Sequence, residues 1–131
     1  MVDHVYINGK FHISAKAKIS INDRGFLYGD GVFETMRSYK GKVFMLLMHL
    51  ERLFHSLRVL KFNPSFDQRV VMDALYKTIA KSGLTEKDSY IKVMVTRGKH
   101  SGALHFGEKG KCSLVIIARK LKPYPDDYYT G

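Results

Sequence analysis

Asn22-Asp23-Arg24-Gly25-Phe26-Leu27-Tyr28-Gly29-Asp30-Gly31-Val32-Phe33-Glu34-Thr35-Met36-Arg37 is the stretch on which the fold turns. Its first ten residues hold three glycines, too many for a regular element, so residues 22–31 read as a structured loop. From Val32 the chain reads as a strand to Tyr39, which turns at Lys40-Gly41 and returns through Val43 to Leu46. Upstream, Val5 and Ile7 alternate before Asn8-Gly9, and Phe11 and Ile13 after it. Asn-Gly between alternating runs signals a hairpin, because both turn positions need positive φ. The glycine-rich loop therefore lies between two hairpins.

Downstream the period changes to that of a helix. From Leu47 to Leu60, the residues Leu50, Leu53, Phe54, Leu57 and Leu60 form an apolar stripe, and Glu51, Arg52, His55 and Arg58 occupy the rest of the wheel. Asn63-Pro64 is the expected stop. Ser65 with Gln68 suggests a capping box, and Val70, Val71, Ala74, Leu75 and Ile79 supply the stripe of a second helix that ends at Gly83. Tyr90 to Thr96 and Cys112 to Arg119 are rich in β-branched residues; the Leu114-Val115-Ile116-Ile117 run is that of a strand covered on both faces. Arg97 to Lys111, with four glycines and three lysines, reads as a mobile loop. The order hairpin, loop, hairpin, helix, helix, strand, strand predicts an α+β domain: a mostly antiparallel sheet with two helices on one side. Residues 1–121 are expected to be that domain. Residues 122–131, with Pro123 and Pro125 and no periodic pattern, have the composition of a linker.

A length of 131 residues suits one domain, and 45% hydrophobic with 26% charged residues excludes disordered and collagen-like classes. No apolar run reaches the ~18 residues of a membrane span. The N-terminus, with Asp3 and His4 after Met1 and Val2, does not resemble a secretory signal. A single cysteine, Cys112, cannot form an internal disulfide, so a reducing cytoplasm is the expected compartment. The net charge of +10 divides evenly, +5 in residues 1–65 (10 basic, 5 acidic) and +5 in 66–131 (12 basic, 7 acidic). Charge spread in this way argues against a nucleic-acid reader and for a solvated surface that favours small anions.

Few elementary motifs carry chemistry. The histidines show no metal-ligand spacing with a carboxylate; His100 and His105 read as loop surface, and no metal is expected. Cys112, inside an expected buried strand, reads as a small hydrophobe. Gly29-Asp30-Gly31 is only a fragment of a dinucleotide fingerprint.

The concatenation does say more. Residues 22–37, then Tyr39-Lys40-Gly41-Lys42-Val43-Phe44, then His49-Leu50-Glu51-Arg52-Leu53, then Tyr90-Ile91-Lys92-Val93-Met94-Val95-Thr96-Arg97-Gly98 together resemble the N-terminal domain of the class IV aminotransferases. These are the pyridoxal-phosphate enzymes of fold type IV, among them branched-chain and D-amino acid aminotransferases and aminodeoxychorismate lyase. The resemblance covers nearly the whole chain, in order.

It implies pyridoxal 5'-phosphate as cofactor, amino acid and 2-oxo acid as substrates, and a homodimer. Arg52 is then the arginine on the cofactor phosphate, a role a guanidinium fork suits, though taken alone it is an arginine on a solvated helix face. Tyr28, Phe33, Tyr90 and Lys92 would line the substrate pocket, the last two sharing one face of a strand. Phe33 and Tyr90 could equally be core residues. Glu34 and Arg37 are expected as an ion pair beside the loop.

Tyr28 with Phe33 is closer to the branched-chain pattern. The arginine and histidine that D-specific enzymes use for the substrate carboxylate would fall near Gly102 and Leu104, and both are absent. Thr35 stands where branched-chain enzymes commonly have glycine and is similar to the lyase. The Schiff-base lysine of the family belongs to a second domain and is expected beyond Gly131, so residues 1–131 hold no catalytic residue by motif and are expected to be inactive alone. Two alternatives are an aminodeoxychorismate lyase-type enzyme and a non-catalytic, degenerate family member.

Overall fold

The computed structural model describes residues 3–99 and 111–122. Its elements are strand β1 (His4–Ile7), strand β2 (Lys10–Ile13), a 3-10 turn (Ser14–Lys16), helix α1 (Arg24–Tyr28), strand β3 (Gly31–Tyr39) and strand β4 (Lys42–Val43). Helix α2 (Leu46–Val59), helix α3 (Gln68–Lys81), strand β5 (Ser89–Thr96) and strand β6 (Ser113–Lys120) follow. The six strands form one sheet in the order β2-β1-β6-β5-β3-β4, every pair antiparallel. The α+β reading holds. The expected mobile loop over 97–111 and the linker over 122–131 lie largely outside the described residues. No helix among the described residues is long and apolar enough to cross a membrane.

Both hairpin turns put two successive residues at positive φ, Asn8 (47°) with Gly9 (91°) and Lys40 (51°) with Gly41 (83°). That twist matches the strands on either side. A Cβ on Gly41 would stand 2.4 Å from the carbonyl oxygen of Thr85, so the second turn requires its glycine twice over.

The helices cover one face. Ile91, Val93 and Val95 of β5, Leu114, Ile116 and Ala118 of β6 and Met36 of β3 pack against Leu50, Leu53 and Leu57 of α2 and Val71, Leu75 and Ile79 of α3. Burying each leucine contributes about 1.5–3 kcal/mol. Both helices end alike. The residue after the C-cap turns left-handed, Lys61 (φ 59°) after α2 and Gly83 (φ 70°) after α3, and the next residue's amide returns to the final turn: Phe62 N to Leu57 O at 2.8 Å, Leu84 N to Ile79 O at 3.0 Å. Gly83 is legible as such a stop. Lys61 is not, and the chain leaves α2 before Asn63-Pro64.

Several expectations need correction. The glycine-rich segment is not irregular throughout, because Asp23 caps the single-turn helix α1, its side chain accepting from Gly25 N at 2.8 Å, and Gly29 closes it at φ 66°. The Ser65–Gln68 capping box does not form. The helix starts two residues later than the box requires, and the Asp67 carboxylate caps it instead, accepting from Val70 N at 3.0 Å. Val70 and Leu60 are exposed rather than part of the apolar stripes, Leu60 because it already lies beyond the last turn of α2. The return strand of the second hairpin is only Lys42–Val43, since Met45 turns left-handed (φ 55°) and hands the chain to α2. Cys112 is buried one residue before β6, and burial pushes its thiol pKa up.

Candidate functional site

Alternation along β3 sends Glu34, Met36 and Ser38 toward the helices and Phe33, Thr35, Arg37 and Tyr39 to the opposite, open face. On β5, Tyr90, Lys92, Met94 and Thr96 share that open face, where Phe33 lies opposite Met94, Thr35 opposite Lys92 and Arg37 opposite Tyr90. The Lys92 ammonium sits 4.7 Å from the centre of the Phe33 ring. Phe33 is 61% exposed, so it is no core residue, and Tyr90 is exposed as well. Of the expected pocket residues, Phe33 and Lys92 are therefore brought into contact, and Tyr90 shares their face. Tyr28, the last residue of α1, is also exposed.

Beside Phe33 the sheet and α1 enclose a cavity of about 440 Å³ with a predominantly apolar lining that includes Ile19, Phe26, Phe33, Met94 and Val115. A lock between sequence-distant segments holds α1 over it. The Thr96 hydroxyl donates to Asp23 Oδ2 at 2.8 Å and accepts from Gly98 N at 3.1 Å, and Arg24 N donates to Gly98 O at 2.8 Å. Arg97 Nε lies 2.9 Å from Asp30, while the rest of its guanidinium donates to the carbonyls of Leu60 and Lys61 and stacks 4.1 Å above the Phe62 ring. Gly25 belongs to the same lock, because a Cβ there would come within 2.4 Å of Thr96 Cγ2. Asp23, Asp30, Thr96 and Arg97 are thus positioning residues that sequence reasoning did not single out. Asp23 directly ahead of Arg24-Gly25, with Gly29 behind, was the capping signal that could have found α1.

Arg52 lies elsewhere, on the helix side of β3. Its Nε donates to Glu34 Oε1 at 2.6 Å, and His49 Nδ1 approaches the same oxygen at 3.2 Å. The Glu34 side chain is only 10% exposed and that of Arg52 60%. Among the described residues the terminal guanidinium nitrogens of Arg52 donate no hydrogen bond; only its Nε does. The hydrogen bond to Glu34, and next its charge, raise the Arg52 pKa, so the cation is permanent. The expected Glu34–Arg37 pair does not form, since residues three apart on a strand point to opposite faces. Nor does the structure bring Arg52 against Phe33, Tyr90 and Lys92; strand β3 stands between them. Among the described residues, no group of three His, Cys, Asp or Glu side chains gathers to hold a metal.

A model of the family described as Amino-transferase class IV matches residues 31–130. The chain belongs to this family. A relative named "Putative branched-chain-amino-acid aminotransferase" in Methanocaldococcus jannaschii is 39% identical over 119 residues, 91% of this chain and 41% of that protein. Aminodeoxychorismate lyase of Bacillus subtilis is 29% identical over the same shares. Among solved structures, the branched-chain amino acid aminotransferase of Escherichia coli superposes with a TM-score of 0.83 at 25% identity, over 95% of this chain and 41% of that one. The chain thus spans about two-fifths of the length of these class IV relatives, and its sheet with two main helices is their N-terminal domain.

Proposed function

We propose that residues 1–121 are the small domain, and 122–131 the start of an interdomain linker, of a pyridoxal-phosphate-dependent aminotransferase acting on branched-chain amino acids and a 2-oxo acid. The observation that carries the substrate class is the apolar cavity lined in part by Phe33, whose ring holds the Lys92 ammonium 4.7 Å from its centre. An aliphatic side chain suits the cavity, and a carboxylate suits the lysine. Residues toward the cofactor fit as well, because Arg52 has its Nε edge anchored and its terminal nitrogens turned outward, the geometry a phosphate dianion takes from a guanidinium. When bound, pyridoxal phosphate supplies the electron sink for moving an amino group.

In this reading Arg52 grips the phosphate, while Phe33, Tyr90 and Tyr28 wall the substrate side chain and exclude water from it. Lys92, steadied over Phe33, orients a carboxylate. No lysine of the chain carries the motif for covalent attachment of the cofactor, so the 131-residue chain alone is inactive. The complete enzyme is a cytoplasmic homodimer. A second reading, the lyase type, draws on Thr35, whose side chain faces the open side directly opposite Lys92, where branched-chain enzymes commonly have glycine.

The test is an assay of the complete natural polypeptide with leucine plus 2-oxoglutarate and, separately, with aminodeoxychorismate. Glutamate formation from the first pair is the expected result; turnover of aminodeoxychorismate alone supports the second reading. For the isolated chain, a new visible absorbance band on adding pyridoxal phosphate, abolished by borohydride as the imine is reduced, would overturn its inactivity.

A further inference from the structure

The Glu34 carboxylate has no place in the scheme above, yet it is an acid held almost out of water, one strand position from Phe33 and in contact with Arg52. Coulomb's law makes a carboxylate beside an anion site unfavourable, so its presence calls for a compensating role. Arginine loses one of the largest side-chain entropies when it is fixed in one rotamer. Glu34 can meet that cost before any ligand arrives. Its backbone is set in the middle of β3, opposite Val93, and its Oε1 receives Arg52 Nε at 2.6 Å and His49 Nδ1 at 3.2 Å. His49 and Arg52 are three residues apart on α2 and so project from the same side of it. One buried oxygen thereby fixes the near edge of the guanidinium and leaves the far edge turned to solvent.

We infer that Glu34 is the positioning residue for Arg52, holding the guanidinium ready for a phosphate group from the side remote from the apolar cavity. The inference rests on the proposal that Arg52 takes the cofactor phosphate, and it adds a residue that acts only through Arg52.

The experiment measures the dissociation constants of pyridoxal phosphate and of pyridoxal, which lacks the phosphate, by equilibrium dialysis of the complete natural polypeptide. Glu34→Gln keeps the shape and removes the charge. Glu34→Asp keeps the charge and withdraws the oxygen from Nε. Both are expected to weaken pyridoxal phosphate about tenfold, the effect of one charge-assisted hydrogen bond, with less than a twofold change for pyridoxal. Coulomb repulsion alone predicts the reverse for Glu34→Gln, so tighter or unchanged pyridoxal phosphate binding overturns the inference. Equal losses for both ligands also overturn it, since they mark general structural damage. Should Glu34→Gln not fold, Glu34→Asp decides by the same comparison. Arg52→Ala separates the two layers: if it loses the preference for the phosphate and the Glu34 variants do not, only the positioning role falls. If Arg52→Ala also keeps that preference, the phosphate role of Arg52 falls with it.

Discussion

On the helix-covered face of the sheet, Ile91, Val93, Val95 and Leu114 are sealed against Leu50, Leu53 and Leu57 and lie almost wholly out of water. On the other face Phe33 and Tyr90 stand in solvent, flanked by a cavity whose wall is a single-turn helix. The first face is held by area, through close-packed apolar contacts that each add a little. The second is held by a few named bonds, from Thr96 to Asp23 and from Arg97 to Asp30. The proposed pocket for the substrate side chain lies on the open face, because a face already filled by helices has no room for one, while the proposed phosphate arginine, Arg52, projects from the helix side.

Substitutions that strike one face and spare the other test this division. Leu53→Ala should have the largest effect, destabilising the chain by about 2–5 kcal/mol in chemical denaturation. Arg97→Ala, which removes the tie between β5, the Asp30 loop and the end of α2, should cost roughly 1.5–3 kcal/mol by the same measurement. It should also increase amide exchange in residues 24–31, which Leu53→Ala affects only through global unfolding. For Gly25→Ala, the added Cβ against Thr96 should cost about 1–3 kcal/mol and displace α1. Phe33→Ala should change stability by less than about 0.5 kcal/mol, because its ring is already largely hydrated. A loss comparable to that of Leu53→Ala would mean that Phe33 is a core residue and that the open face is no site. The smallest signal is chemical. Burial raises the Cys112 pKa, so at any pH below it the folded chain holds less thiolate than a free cysteine. Its reaction with a disulfide reagent at pH 8 should be slower than after unfolding; equal rates would place the thiol in water.

The helix-covered face was legible in the chain because its signal is periodic. Leu50, Leu53, Phe54 and Leu57 recur at helical spacing, and the alternation around Asn8-Gly9 marks a hairpin whatever surrounds it. Local signals failed where a choice depended on neighbours far along the chain. Ser65 and Asp67 are both good caps, and packing decided for Asp67, since Phe66 beside it packs edge-on against Phe54 at 6.2 Å. Lys61 takes a left-handed conformation that no lysine announces, in part because Arg97 binds its carbonyl from 36 residues away. From the sequence Glu34 is expected to pair with Arg37; strand alternation excludes that pair, and only the docking of α2 on β3 brings Arg52 to Glu34 instead.

By itself the sequence determined the α+β class, the hairpin turns, the two amphipathic helices, and the residues of a class IV aminotransferase, because all of these are encoded in spacing along the chain. The tertiary structure alone decided that Phe33, Tyr90 and Lys92 share an open face while Arg52 stands across β3 on Glu34, and that Thr96 and Arg97 fasten the glycine-rich segment. Such contacts join residues from 18 to 73 positions apart in sequence. Their geometry exists only once the sheet has set which neighbours meet, since side-chain hydrogen bonds fall off within an ångström and no local pattern records the distance.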